Sequence, residues 1–487
     1  MLPEAKLYID GVLRGATGGK TYDNIGPWTG EVVGKAADAS AEDVNAAITA
    51  ARRAFDETDW STRHSYRLEL MTRYRDLLVA NRDKLVEIVR HEVGSALGAA
   101  HSAQVAGALE GATGLIDAFP AISWEEDRGR RRQYGFDSDR LVVRESIGVA
   151  GAITPWNVPI YVNIGKVVAG LLAGCTMVLK PAPDTPLTGS IMGELALEAG
   201  LPKGVFNVVT ASDPVMAGEM LVTDPRVDLI TFTGSTGVGK RIMEKGGPTL
   251  KRLFLELGGK SANIILEDTP DFAARVMRGI VAFHAGQGCA ISTRMLVPKS
   301  RYAEAVGALE KAYAGFSTKW GDFNEPTCIM GPVISKRQLD RVLSYIELGK
   351  REGARLLAGG NARPDKGSGF FVEPTCFVDV DNKMRIAQEE IFGPVLVVIP
   401  FEDDNDAVRI ANDSEYGLCG MVSSGDRDRA MKIARRLRAG SVSINGGMCI
   451  APDLPFGGYK RSGIGREWGR EGIEEFMETK AIAIAGV

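Results

Sequence analysis

The sequence predicts an α/β protein built around two parallel sheets, and three observations predict it. From about residue 141, short apolar runs alternate with helical patterns, and a second alternating block follows Cys289. Glycine is frequent, at 58 of 487 residues, without a collagen-like period, which signals many tight turns and close backbone approaches. Strand and helix in alternation imply βαβ units, and the first block implies a doubly wound sheet of the nucleotide-binding type. Two blocks imply two domains with a cleft between them.

The elements follow in chain order. The first hundred residues read as helical. Ser40 with Asp43 three positions on resembles a capping box, and Val44, Ala47, Ile48, Ala51 and Phe55 then share one helical face. A second helical stretch is expected over 65–92. Residues 124–140 fit neither block; they are charged, basic at 128–132, and read as a solvated arm or sheet edge rather than a nucleic-acid patch. In the first block, 147–154, 169–173 and 176–180 are short apolar runs, 188–199 a helix, and 205–210 and 227–233 strands. In the second block, 395–401, 420–424 and 441–445 read as strands, and 404–412 and 426–437 as helices.

Composition narrows the function. Hydrophobic residues at 45% and charged residues at 25% are ordinary for a globular protein, so a chain this long needs no metal or disulfide staple. The formal charge, 58 − 62 = −4, argues against an affinity built on neutralising phosphate backbones and favours small ligands over nucleic acid. The six cysteines are scattered and form no CxxC pair, which argues against a zinc ribbon and fits a reducing, cytoplasmic compartment. No run of 18 apolar residues exists to span a membrane, and residues 1–10 carry no apolar core of a secretory signal.

Residues 231–240 read TFTGSTGVGK between a strand and a helix. Glycines there let backbone N–H groups approach a phosphate, and a helix N-terminus adds partial positive charge. The order is GxxGxG, not the GxGxxG of most dinucleotide folds. It also nearly matches a P-loop, but Arg241 stands where a P-loop needs a magnesium-binding Ser or Thr. A phosphotransferase and a ligand-free turn therefore stay open as alternatives at this point.

Among the cysteines, Cys289 stands apart because small residues flank it in AGQGCAIST, leaving its sulfur approachable and a backbone N–H free for an oxyanion. A cysteine is otherwise most often a small buried hydrophobe. Neighbouring His284 raises a Cys-His hydrolase, a weak reading in a chain with four histidines. Glu256 lies in LFLELGGK, where apolar neighbours and poor solvation raise a carboxyl pKa towards that of a general base. The alternative is a carboxylate pointing to solvent from an edge strand.

Seven motifs then occur in order: TPWNVP at 154–159, LKPAPDTP at 179–186, FTGSTGVGK at 232–240, LELGGK at 255–260, GQGC at 286–289, EEIFGPV at 389–395 and PFGGYKRSGIGRE at 455–467. Together they resemble the aldehyde dehydrogenase superfamily, specifically its hydrolytic, NAD(P)-dependent branch, over nearly the whole chain. The resemblance implies a Rossmann-like cofactor domain (1–123 and 141–257), an α/β catalytic domain (258–450), a small β oligomerisation arm (124–140 with 471–487), and a return to the cofactor domain at 451–470. It implies a homodimer or homotetramer. A non-catalytic relative is the remaining alternative, although Cys289, Glu256 and Asn157 are all present.

The same resemblance assigns roles. Cys289 attacks the aldehyde carbon, and Asn157 with the Cys289 N–H holds the alkoxide. After hydride transfer, Glu256 activates water to hydrolyse the thioester; relatives that pass the acyl group to coenzyme A usually lack this glutamate. Gly234 and Ser235 face the pyrophosphate, Lys180 a ribose of the adenosine half, and Glu390 the nicotinamide ribose, with Phe392 beside it. Ile153, Thr154, Pro155, Trp156, Phe232, Val238, Leu257 and Gly258 line the cofactor cleft. Pro183 stands where many NAD-preferring relatives carry a ribose-binding glutamate, so NAD is placed first with NADP as the alternative. Asp213 either reaches a ribose or caps the next helix. Val158, Val162 and Gly165 are small where many relatives are large, which implies a roomy tunnel walled by Phe283, Ile450, Leu454 and Phe456. Apolar, medium-to-bulky aldehydes are the expected substrates.

Overall fold

The structure is a computed structural model and describes residues 1–316 and 320–485. Among these residues the chain forms two large sheets, a separate three-stranded one and two two-stranded ones. The first large sheet has eight strands in the order Val12–Arg14, Leu7–Ile9, Phe206–Val208, Thr176–Lys180, Val149–Ile153, Leu229–Thr233, Arg252–Glu256 and Gly463–Ile464. Its five central strands are parallel, and the outer ones are antiparallel. The central strands are buried apolar runs such as VAGAI and LITFT, as expected of a parallel sheet covered on both faces. Helices Pro159–Ala173 and Pro186–Ala199 share one core, and Ala41–Glu57 and Pro214–Thr223 share another. Strand order reverses at Val149–Ile153. The next two parallel strands lie on one side of it and Leu229–Thr233 on the other, which opens a crevice at the carboxyl ends.

The second sheet has seven strands, Arg355–Ala358, Thr375–Val378, Val395–Phe401, Arg294–Pro298, Ala262–Ile265, Cys419–Ser423 and Ser441–Ile444, all parallel except the first. The third sheet joins Glu125–Gln133, Phe136–Ser146 and Met477–Ala485, antiparallel throughout. Its last two strands pair from Met477 opposite Ser146 to Ala485 opposite Ser138. The strand therefore runs past the expected end of the arm at residue 140, because residues 141–146 supply the ladder for 477–482. Residues 486 and 487 of the expected pairing segment lie outside the described residues.

The capping box is present: the Ser40 side chain accepts from the Asp43 N–H, and Asp43 accepts from the Ser40 N–H. Three expectations are corrected. The first hundred residues are not all helical, since four short strands precede Ala41; their three to six residues carry too little periodicity to read. The stretch 65–92 is two helices, His64–Ala80 and Arg82–Glu92, broken at Asn81. The apolar run 169–173 is the last turn of the helix Pro159–Ala173, almost wholly buried between the sheet and outer helices, so no polar face marks its period. Among the described residues no helix is long and apolar enough to cross a membrane.

Candidate functional site

The crevice at the switch point continues into a cleft of about 970 Å³ between the two large sheets. Cys289, Glu256 and Asn157 line it. So do Ile153, Thr154, Pro155, Trp156, Lys180, Phe232, Gly234, Ser235, Val238, Leu257, Gly258, Glu390 and Phe392. Residues from six different stretches of sequence thus converge because the strands Val149–Ile153, Thr176–Lys180, Leu229–Thr233 and Arg252–Glu256 all end on this side.

Cys289 follows a tight turn in which His284 and Ala285 both adopt positive φ, at 49° and 50°. The residue is partly exposed and lines the cleft. Burial, followed by the Glu256 carboxyl, pushes the thiol well above its ordinary value. Glu256 ends its strand at 2% exposure, and Oε1 has no partner among the described residues. Burial pushes its carboxyl up to about 8, with Glu467 adding to the rise and Cys289 and Lys166 opposing it. The Glu256 carboxyl therefore disfavours the thiolate, whereas the Cys289 thiol, by hydrogen bonding, favours the carboxylate. His284 is buried and pushed down to about 4, so it stays neutral and is a weak base.

Asn157 is 4% exposed. Its Nδ2 donates to the Gln287 carbonyl at 3.0 Å, which uses one of two amide hydrogens and fixes the direction of the other. Behind the site, Lys166 Nζ lies 2.5 Å from Glu467 Oε1 and donates to Thr231 Oγ1 at 2.9 Å. This fully buried pair was missed from sequence. Its signal was available: a lysine inside a continuous apolar helix requires a buried partner.

The rest of the cleft fits a dinucleotide. The helix Thr236–Gly246 opens on it, capped by Ser235, whose side chain accepts from the Val238 N–H. Its first-turn N–H groups and partial positive charge suit a pyrophosphate. Gly258 leaves room for the Glu390 carboxylate: a Cβ there would stand 2.4 Å from Glu390 Oε2 and push it aside. Glu390 Oε1 accepts from the Gly259 N–H at 2.9 Å, which leaves the second oxygen for a hydroxyl donor. Phe392 meets Trp156 edge-on at 5.4 Å between ring centres. Lys180 is 2% exposed and, among the described residues, donates to the Pro181 carbonyl at 3.2 Å, and burial pushes its amine down to about 8. Pro183 lines the same end. Asp213 caps a helix, its carboxylate accepting from the N–H groups of Val215 and Met216 at the head of Pro214–Thr223. Beyond it the Glu219–Arg241 ion pair borders the cleft.

The expected tunnel is corrected in part. Val158 is partly exposed at the start of its helix, and Val162 is buried. Gly165 does not leave room, because the Trp468 indole fills the space: a Cβ at Gly165 would meet Trp468 Cζ2 at 2.9 Å. Tyr161 packs on that indole at 4.4 Å between ring centres. Ile450 packs, with Cys289 and Tyr161, against a core that contains Phe456 and Trp468. Phe283 and Leu454 are 49% and 41% exposed.

The fold and cleft define a dinucleotide-binding enzyme with a cysteine nucleophile. A family model described as "Aldehyde dehydrogenase family" matches residues 14–482. A 3-succinoylsemialdehyde-pyridine dehydrogenase of Pseudomonas sp is 42% identical over 481 residues, covering 98% of each chain. A solved aldehyde dehydrogenase of Mycobacterium tuberculosis complexed with NAD+ is 42% identical with a TM-score of 0.92, over 99% of this chain and 98% of that one. A Pseudomonas syringae aldehyde dehydrogenase C mutant, solved with NAD+ and octanal, is 39% identical with a TM-score of 0.91, over 98% and 96%. The chain belongs to the aldehyde dehydrogenase family. The phosphotransferase alternative finds no support.

Proposed function

We propose that this enzyme oxidises an aldehyde to the free carboxylic acid with NAD+ or NADP+, through a covalent adduct on Cys289. The observation that carries the reading is the convergence of Cys289, Glu256 and Asn157 at one end of a cleft shaped for a dinucleotide. Cys289 must lose its proton to attack the carbonyl carbon. The alkoxide that forms is held by the free Nδ2 hydrogen of Asn157 and the Cys289 N–H; such donors are each worth about 3–4 kcal/mol. Bound dinucleotide supplies the hydride acceptor and a positively charged ring. Glu256, poised at about 8, then takes a proton from the water that attacks the thioester. Glu390 would hold the nicotinamide ribose with Phe392 and Trp156 beside the ring. Lys180 would reach the adenosine ribose, and Ser235 with Gly234 the pyrophosphate.

Three finer points belong to the same reading. The cofactor is NAD+ first, supported by the NAD+ complexes of the similar structures, with NADP+ left open by the uncharged Pro183. The substrate is an apolar aldehyde of medium size, supported by the apolar core against which Cys289, Tyr161 and Ile450 pack and by the octanal bound to a 39% identical relative. The enzyme works as a homo-oligomer in a reducing, cytoplasmic compartment. Support comes from the exposed three-stranded arm, with Ile482 and Ile484 at 39% and 52% exposure, and from six free cysteines.

One assay tests the whole: reduction of NAD+ and NADP+ with a panel of aldehydes. Cys289→Ala should abolish turnover. Turnover retained in Cys289→Ala would overturn the reading, as would a strong preference for acetaldehyde or a charged aldehyde overturn its substrate part.

A further inference from the structure

We propose that Gln104 is a positioning residue for the oxyanion donor: it clamps the backbone of Asn157 from behind and so aims the Asn157 side chain at the reacting carbonyl. This rests on the oxyanion role given to Asn157 above.

Two independent observations carry it. The first is a change of helix type. Residues Leu97–Ala99 and Gly107–Ala118 are α-helical, but the segment between them, Ala100–Ala106, is a π-helix in which the Gly107 N–H reaches back to the Ser102 carbonyl. A π segment has poorer geometry than an α-helix and concentrates at functional sites. Here the wider turn delivers Gln104, at 1% exposure, into the interior. The second is what Gln104 meets there. Its Nε2 donates to the Asn157 carbonyl at 2.8 Å, and Asn157 Nδ2 donates in turn to the Gln287 carbonyl at 3.0 Å. Gln287 is itself held, its Oε1 accepting from the Ile334 N–H at 2.8 Å. Cys289 lies two residues beyond. Three amides thus form a buried relay that ties the oxyanion donor on one side to the nucleophile's loop on the other.

A helix cap or turn would also satisfy the Asn157 carbonyl. A long side chain reaching it from a distant π-helix instead pins the Asn157 backbone, while the bond to the Gln287 carbonyl holds the side-chain amide. An oxyanion donor works by being oriented before charge develops, so a small loss of aim costs rate while leaving cofactor binding alone.

The test uses the full-length enzyme, NAD+ and octanal, with Gln104→Leu, Asn157→Ala and the double variant. Removing one oxyanion donor typically lowers kcat by about 10²–10³, so loosening it through Gln104→Leu should lower kcat by roughly tenfold. KM for NAD+ should stay unchanged. Alkylation of Cys289 by iodoacetamide creates no oxyanion, so its rate should also stay unchanged. In the Asn157→Ala background, Gln104→Leu should add no further loss.

Full kcat in Gln104→Leu would overturn the proposal, as would losses that multiply in the double variant, or alkylation that slows in step with turnover. If Asn157→Ala alone keeps full kcat, the oxyanion reading fails and takes this role with it. If Asn157→Ala loses activity and Gln104→Leu does not, only the role of Gln104 fails. Gln104→Glu gives a second route should the leucine variant not fold. Its ionised carboxylate cannot donate, whereas its protonated form can, so its activity relative to wild type should recover as pH falls. A ratio independent of pH would overturn the positioning role.

Discussion

The indole of Trp468 is wedged between two glycines on different helices: a Cβ at Gly165 would meet Cζ2 at 2.9 Å, and a Cβ at Gly111 would meet Cζ3 at 2.5 Å. Both glycines are therefore small for the sake of one aromatic ring. Trp468→Leu should leave a void of ring size beside Tyr161, cost about 1–3 kcal/mol of stability, and widen the substrate side. In hydrophobic pockets, single-methylene differences discriminate by about 10–200-fold, so kcat/KM for branched or aromatic aldehydes relative to linear ones should rise by roughly tenfold or more. Unchanged ratios across an aldehyde series would show that the indole is core and not wall.

That wedge also shows where sequence reading stops. Gly165 is small, and smallness alone suggests space; only the fold reveals that residue 468, some three hundred positions away, occupies it. The same limit hid the Lys166–Glu467 pair, whose members are just as distant, and the Gln104 contact, which depends on a change of helix type that no periodicity announces. What sequence conveyed well was local. The glycine-rich turn after Leu229–Thr233, the Ser40 cap and the alternation of strand and helix are each written within a few neighbouring residues. Recognition of the motifs then supplied the long-range convergence that the residues could not supply by themselves.

Glu256→Gln should separate the two halves of the reaction. The amide cannot take a proton from water, so a first turnover of hydride should persist as a burst while steady-state kcat falls by about 10²–10⁴-fold, the usual range for losing a general base. In the wild type, the carboxyl at about 8 must be ionised to act, so the hydrolytic step should accelerate as pH rises through about 8. Rapid-mixing measurements of reduced dinucleotide across pH check both. A full steady-state rate in the glutamine variant would show that the role belongs elsewhere.

The same carboxyl predicts a stability difference. Its folded pKa lies above the unfolded value, because burial disfavours the charged form. Such a group stabilises the fold most at low pH and loses that contribution as pH rises towards about 8. Glu256→Gln never ionises. Its Tm should match wild type near pH 5 and exceed it near pH 9. Parallel melting curves that never diverge with pH would contradict the buried, raised carboxyl.

Cys289 at rest should be a thiol, not a thiolate, because burial and Glu256 both push its pKa upward. In the absence of dinucleotide, alkylation by iodoacetamide should be slow at pH 7 and still rising at pH 9. Glu256→Gln removes the neighbouring negative charge and should speed alkylation at high pH. A plateau already reached by pH 7 would mean an ionised sulfur and a different electrostatic balance.

In the proposed reading, cofactor choice turns on Pro183 and Lys180. Pro183 lines the cleft without a charge, whereas Lys180 offers an ammonium that is buried and partly neutral near pH 8. Pro183→Glu would add an acceptor for the ribose hydroxyls and repel a 2′-phosphate. The ratio of kcat/KM for NAD+ over NADP+ should rise by at least about tenfold, equal to 1.4 kcal/mol. In the wild type, Lys180 loses its proton as pH rises through about 8, and a phosphate depends on that charge more than a hydroxyl does. KM for NADP+ should therefore climb faster than KM for NAD+ between pH 7 and pH 9. Side-by-side kinetics with both dinucleotides check this, and equal pH dependence would mean that Lys180 serves the two cofactors only as a hydrogen-bond donor.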